Sequence, residues 1–182
     1  MAGPPRSGRS TVLDTCARAL GEQHEVWAVG PSTSPLDLGL VHDGAVGRPD
    51  DLVPVLDRLV NLFVLGTAPR PRVLLVDDLD RLDDSALNSL WDQLSQIDEL
   101  RIIATMENRS MTGYSASAAL NLARRARRLL VLRPDDASEF LQMTGIKPPI
   151  RPGVAMPPGR GVLVADREPT VVQVARFDPT AS

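Results

Sequence analysis

The residues best suited to chemistry open the chain: Gly3-Pro4-Pro5-Arg6-Ser7-Gly8-Arg9-Ser10, followed by Thr11. The two glycines and the closing hydroxyl keep the spacing G-x-x-x-x-G-K-[ST], with Arg9 in the lysine position. A loop of that spacing turns successive backbone N–H groups toward a phosphate, and the helix behind it adds the positive end of its dipole. Gly3 to Thr11 would surround the phosphate, Gly8 would let the backbone come close, and Ser10 would place a hydroxyl on Mg2+. The plainer reading of the same residues is a glycine-rich start to a helix.

Farther along, the apolar run Val73-Leu74-Leu75-Val76 ends on Asp77 and Asp78. Apolar residues without alternation describe a strand buried on both faces. Carboxylates at its end stand where a nucleotide-hydrolysing α/β fold keeps its second acidic motif: Asp77 would hold Mg2+ through water, and Asp78 would position the attacking water. Asp80, Asp83 and Asp84 read instead as a solvated acidic turn that caps a helix. Thr105 is either a sensor of the terminal phosphate or a strand end beside the polar loop Glu107-Asn108-Arg109-Ser110. Arg124, Arg125, Arg127 and Arg128 read as a solvated helix face, with a reach toward a neighbouring subunit's nucleotide as the sharper alternative. Cys16, Trp27 and Trp91 read as packing residues, and His24 and His42 as surface residues.

These residues need a scaffold, and the hydrophobic pattern supplies one. Short β-like runs alternate with helical runs, as in an α/β domain built on a mainly parallel sheet. The spacing predicts a helix from Arg9 to Leu20, closed by Gly21, and a strand from Glu25 to Val29. Residues 31–49 are rich in turn formers and carry no assignment. A helix capped by Asp50 or Asp51 runs to Leu65, and a strand covers Arg72 to Val76. A helix capped by Asp84 or Ser85 follows, then a strand over Arg101 to Thr105 and a helix over Ala116 to Arg127. A strand over Leu129 to Leu132 and a helix over Pro134 to Met143 complete the core. Gly145 to Arg160, with five prolines, reads as an extended linker, and Gly161 to Ala165 with Thr170 to Arg176 as a hairpin, before a frayed tail. Residues 1–145 thus form the core, and 146–182 complete the same domain.

Composition narrows the function. The 182 residues are 43% apolar and 24% charged, ordinary for a globular chain and too apolar for a disordered one. Aromatics make up 3%, so Leu, Val, Ile and Ala must build the core. A net charge of −3 argues against an electrostatic nucleic-acid binder. One cysteine excludes a disulfide framework or Cys-rich zinc site. No apolar run is long enough to span a membrane, no signal peptide pattern opens the chain, and the expected compartment is the cytoplasm.

Together the loop Gly3–Thr11, the Val73–Asp78 strand, the Ala104-Thr105 strand end and the closing Pro157-Pro-Gly-Arg-Gly-Val-Leu-Val164 with Val172-Gln-Val-Ala175 resemble the FtsK/SpoIIIE ATPases. The similarity is nearest to the degenerate C-terminal modules of EccC-type motors of type VII secretion. The resemblance implies a RecA-like P-loop NTPase fold: a mainly parallel sheet with helices on both faces and a C-terminal β-hairpin. It implies ATP and Mg2+ as ligands, other motor modules or subunits as partners, and placement at the inner face of the membrane through partner domains. A secreted protein or DNA would be the cargo. Active members carry lysine at Arg9, glutamate at Asp78, glutamine at Met106 and often glycine at Arg6. A planar guanidinium does not replace an ammonium among phosphates, and Asp78 is one methylene too short. The implied function is a nucleotide-binding module with little or no hydrolysis. The alternatives are an active translocating ATPase, with Arg9 and Asp78 as working substitutes, and a scaffold that binds no nucleotide. The family's central strand runs into the phosphate loop, whereas here only Met1 and Ala2 precede Gly3. The expectation is therefore a fragment of a larger motor, or a start assigned too late, with an open slot between Arg101–Thr105 and Leu129–Leu132.

Overall fold

The structure, a computed structural model, describes residues 1–66, 70–113, 117–126, 128–134, 136–149, 156–157 and 159–175. Its elements run α1 (Arg9–Leu20), β1 (Glu25–Pro31), β2 (Asp43–Gly47), α2 (Pro49–Val64), β3 (Arg72–Val76), α3 (Ser85–Ser95), β4 (Arg101–Ala104), α4 (Asn108–Thr112), α5 (Ala118–Arg124), β5 (Arg128–Leu132), α6 (Ala137–Thr144), β6 (Arg160–Ala165) and β7 (Glu168–Gln173).

Four strands form a parallel sheet in the order β2-β1-β3-β4. Its central members, β1 and β3, are apolar from Val26 to Val29 and from Val73 to Val76, so their alternating side chains feed two cores at once. Val26, Ala28, Val73 and Leu75 face α1, where they pack with Leu13 and Ala17. Trp27, Val29, Leu74 and Val76 face the other way, onto Leu52, Leu56 and Leu59 of α2 and Leu87, Trp91 and Leu94 of α3. Both tryptophans are thus core residues. At the amino end of β3, buried Arg72 donates to Glu25 Oε2 at 2.8 Å and lies over the Phe63 ring.

The second sheet is the antiparallel set β5-β6-β7, closed by the β6–β7 hairpin. Residues around Ala2 join the two sheets. Ala2 bridges in parallel to Met106, just past β4, and to Val131 of β5. Its N–H donates to Leu130 O at 2.9 Å, and its carbonyl accepts from Leu132 N at 2.8 Å. Gly3 N donates to Met106 O at 3.2 Å, and Met106 N to Met1 O at 3.0 Å. The expected neighbours of the central position, β4 and β5, therefore flank it. Residues 101–103 of β4 receive no backbone bond from this short segment.

Several boundaries differ from the sequence reading. Residues 38–40 form a 3₁₀ turn and Asp43–Gly47 form β2, an edge strand that its two glycines conceal. The cap of α2 is Arg48; Asp51 reaches back from the first turn, accepting from Arg48 N at 2.8 Å. The helix expected over 116–127 starts at Ala118 behind Ser117 and ends at Arg124, and α4 precedes it. Helix α6 starts at Ala137, since Asp136 accepts from Ser138 N at 2.6 Å and so fixes the cap. Ala116, Arg127, Asp135, residues 150–155 and 158 of the proline-rich linker, and the tail from 176 lie outside the described residues.

Candidate functional site

The loops after β1, β3 and β4 converge with the Gly3–Ser10 loop at the carboxyl edge of the sheet, where open α/β sheets place their ligands. The loop is wound tightly. Arg6 and Gly8 take the left-handed region, at φ 61° and 98°. Gly8 caps α1, and its carbonyl accepts from Val12 N at 3.0 Å. The absent side chain of Gly3 leaves space that the Ser7 hydroxyl fills. Pro5 and Arg6 are exposed at the tip, Pro4 is half-buried, and Ser7 is 1% exposed. Thr11, the third residue of α1, is exposed.

Asp77 is the buried centre of the site, 1% exposed. Its Oδ1 accepts from Ser10 Oγ at 3.2 Å and Thr105 Oγ1 at 2.7 Å. Its Oδ2 accepts from Ser10 Oγ at 3.1 Å and Ser34 Oγ at 2.7 Å. Such charge-assisted bonds are what keep a buried carboxylate tolerable. Thr105 is fully buried. Besides donating to Asp77, its hydroxyl accepts from Asp78 N at 2.9 Å, so both of its functions are used within the protein.

Asp78 turns the chain sharply, at φ 44°. Its Oδ1 lies 3.0 Å from Arg9 Nη2, with the two side chains 19% and 11% exposed. Arg81 Nε stands 3.8 Å from Oδ2. Burial pushes the Asp78 carboxyl above its ordinary value; Arg9 pulls it down, and Asp77 and Asp80 push it up again. Arg9 Nη1 and Ser7 Oγ are buried without a hydrogen-bond partner.

Ser34 was not singled out by the sequence reading. It stands in the turn after β1, where Ser34 N donates to Pro31 O at 2.8 Å. Gly30 makes room for it, since a Cβ there would meet the Ser34 side chain at 2.8 Å. The available signal was positional: a hydroxyl-rich turn, Ser32-Thr33-Ser34, after a strand that neighbours β3. Thr33 also joins the site, accepting from Arg81 Nη1 at 3.0 Å.

Other residues fall into plainer roles. Asp84 caps α3 through Ala86 N at 2.8 Å, Asp83 is exposed, and Asp80 Oδ2 accepts from Ser110 Oγ at 2.7 Å. Arg124 donates to the carbonyls of Ser110 and Gly113. Arg125 and Arg128 are exposed, and Arg127 lies outside the described residues. Cys16 is half-buried against the α1 core, His42 is exposed beside the Trp27 ring, and His24 is half-buried with its Nδ1 buried rather than at the surface. The hairpin touches the loop through Gly159, whose N–H donates to Ser7 O at 3.2 Å and whose carbonyl accepts from Val174 N at 2.9 Å.

No protein-family model matches the chain, and no curated protein matches it. Among solved structures it is similar to the cytoplasmic domain of the Thermomonospora curvata type VII secretion ATPase EccC, with a TM-score of 0.74 at 18% identity. This chain shares that domain's fold. The match covers 97% of this chain and 23% of that one. The cytoplasmic domain of EssC is similar too, with a TM-score of 0.71 at 15% identity over 97% of this chain and 39% of that chain. The chain thus spans well under half the length of either. The architecture expected from the resemblance is present: parallel sheet, helices on both faces, antiparallel hairpin. No helix among the described residues is long and apolar enough to cross a membrane.

Within this fold, Ser10 and Asp77 are the residues to weigh for Mg2+. A carboxylate offers about four lone-pair sites. In Asp77 these meet Ser10 twice, Ser34 and Thr105. Ser10 has a single proton to give, so three donors leave one lone pair of Asp77 for a metal-bound water, and Ser10 Oγ keeps its own lone pairs for the ion; the pair fits a hydrated Mg2+. Among the described residues, no group of three or more His, Cys, Asp or Glu gathers to hold a metal elsewhere.

Proposed function

We propose that the chain is a nucleotide-binding module of a larger secretion motor, with ATP or ADP as its ligand and little or no hydrolysis. One observation carries this reading: Arg9 and Asp78, two of the residues that depart from the pattern of active motors, are paired with each other at 3.0 Å. Arg9 lies in the phosphate loop, and Asp78 stands where the water-positioning carboxylate belongs. A carboxylate committed to a guanidinium, on a shorter side chain and a left-handed backbone, is a poor base. Loss of a positioned base typically costs about 10²–10⁴-fold in rate. The loop itself keeps what binding requires: left-handed Gly8, buried Ser7 and the amino end of α1.

In this reading the partners are other ATPase modules or subunits of the motor, and the module works at the cytoplasmic side of the membrane. Calorimetry with ATP and ADP, together with a phosphate-release assay, tests it. The expected result is binding with negligible turnover, and a gain in affinity or hydrolysis for the Arg9→Lys/Asp78→Glu double variant. Turnover at the 1–10³ s⁻¹ typical of enzymes would refute it. Silence at millimolar nucleotide would favour a scaffold.

A further inference from the structure

We propose that the chain associates with a second copy of itself through the end of α2, where Val64 and Leu65 of one copy seat in a cavity between α5, α6 and β6 of the other. The contact lies at the edge of the sheet away from the Gly3–Ser10 loop and is independent of nucleotide.

The protruding half is apolar and left in water. Val64 and Leu65 are 79% and 69% exposed, more than any other large apolar side chain among the described residues. Single exposed apolar residues are ordinary, but two side by side at a helix end form a spot that another surface can cover. They end a helix of sixteen residues, where the backbone carbonyls concentrate negative charge, and no basic side chain lies in its last turn.

The receiving half is a cavity of about 160 Å³. Met111, Leu129, Met143, Ile146 and Val164 give it apolar walls, and Arg124 and Arg167 line it too. A dry apolar cavity of about 150 Å³ takes up benzene, so the four carbons of a leucine side chain fit here, and methionine walls adapt to their shape. Arg125, Arg128 and Lys147 are exposed next to lining residues, and with Arg124 and Arg167 they outnumber Asp166 and Glu168, which flank Arg167. A positive surround meets the negative end of α2.

The fold keeps the two halves apart within one copy. Helix α2 runs back from the carboxyl edge of the sheet, and its last turn meets the amino end of β3, where Leu62 O accepts from Arg72 Nη1 at 3.4 Å. The cavity is at that same edge, since Leu129 at the start of β5 pairs with Val164 near the end of β6. Both halves pack against the core on the α2–α3 face of the sheet. Helix α2 covers β2 at one margin, the cavity lies over β5 and β6 toward the other, and α3 stands between α2 and α5. Leu65 therefore does not meet its own cavity, whereas a second copy set alongside, its strands running the same way, brings one to the other.

The test is sedimentation velocity of the 182-residue chain over a concentration series. Val64→Lys/Leu65→Lys changes exposed positions where lysine suits the end of a helix, and Ala126→Trp fills the cavity from an exposed lining position. The expected result is self-association of the unaltered chain, weakened about tenfold or more in either variant. An equimolar mixture of the two variants recovers association to within about threefold of the parent, because each supplies the half the other lacks. Leu65→Gln and Ala126→Phe replace any variant that melts below the parent. A parent that stays monomeric overturns the inference and leaves the cavity to a different partner. Association that either variant leaves unchanged overturns it too, as does a mixture no stronger than the variants alone.

Discussion

Replacing Thr105 by valine keeps the shape of a fully buried side chain and removes its hydroxyl. Two contacts go with it: the 2.7 Å bond to Asp77 Oδ1 and the acceptor for Asp78 N at 2.9 Å. A hydrogen bond to a charged group contributes about 1.5–3 kcal/mol, and a buried N–H left without an acceptor costs about 1–3 kcal/mol. Because one oxygen serves both, the terms do not simply add; the expected loss is about 3–5 kcal/mol. That is a large share of the ~5–15 kcal/mol that holds a domain together. Thr105→Ser is the control. It keeps both bonds and loses one methyl group, for about 1 kcal/mol. Urea unfolding reads the difference as a shift in midpoint at constant slope. If the valine variant falls within about 1 kcal/mol of the serine variant, Thr105 does not organise the two carboxylates and the account of the site is wrong.

Arg72→Ala strands Glu25 at the base of the sheet and should cost about 3–5 kcal/mol, whereas Arg72→Met with Glu25→Gln should recover most of it, as chemical denaturation would reveal. Asp14, on α1, has its carboxyl pushed up mainly by burial and, further, by the charges of Asp37 and Asp77. Its charged form therefore opposes folding above its folded-state pKa, and that opposition vanishes once pH falls below the ordinary aspartate value of about 3.9. Thermal melts should show Asp14→Asn more stable than the parent at neutral pH, with the gain shrinking as pH falls; an equal gain at every pH would contradict the assignment.

Much of the framework was legible because its signals are local. Helix α1 runs from Arg9 to Leu20, as its apolar spacing and Gly21 indicate, and β3 runs from Arg72 to Val76, as an uninterrupted apolar run buried on both faces must. Strand β2 was not legible. Asp43-Gly-Ala-Val-Gly47 has little strand character, and Gly44 is there because a side chain would strike the backbone of Ala28 on the neighbouring strand. That requirement is set by a partner far away in sequence. The loop Gly3–Ser10 and Asp77 announced themselves by type and spacing, and the structure brings Ser10 to Asp77 and Arg9 to Asp78. What the spacing could not convey is who satisfies whom. Ser34 and the double duty of Thr105 follow from three strand ends meeting at one edge, and a linear pattern does not encode that meeting.

Gly159 has a mechanical consequence. It stands between the Gly3–Ser10 loop and the end of the hairpin, holding Ser7 on one side and Val174 on the other with one backbone hydrogen bond each. Loop and hairpin are therefore coupled in series, with a residue that has no side chain as the link. If an occupant of the loop draws Ser7 inward, the pull reaches the root of β7 without crossing the sheet. Linkage makes the traffic reciprocal: whatever grips the hairpin from outside shifts the affinity of the loop by the same factor. Hydrogen exchange at the amides of Gly159 and Val174, with and without nucleotide, reads that tension directly.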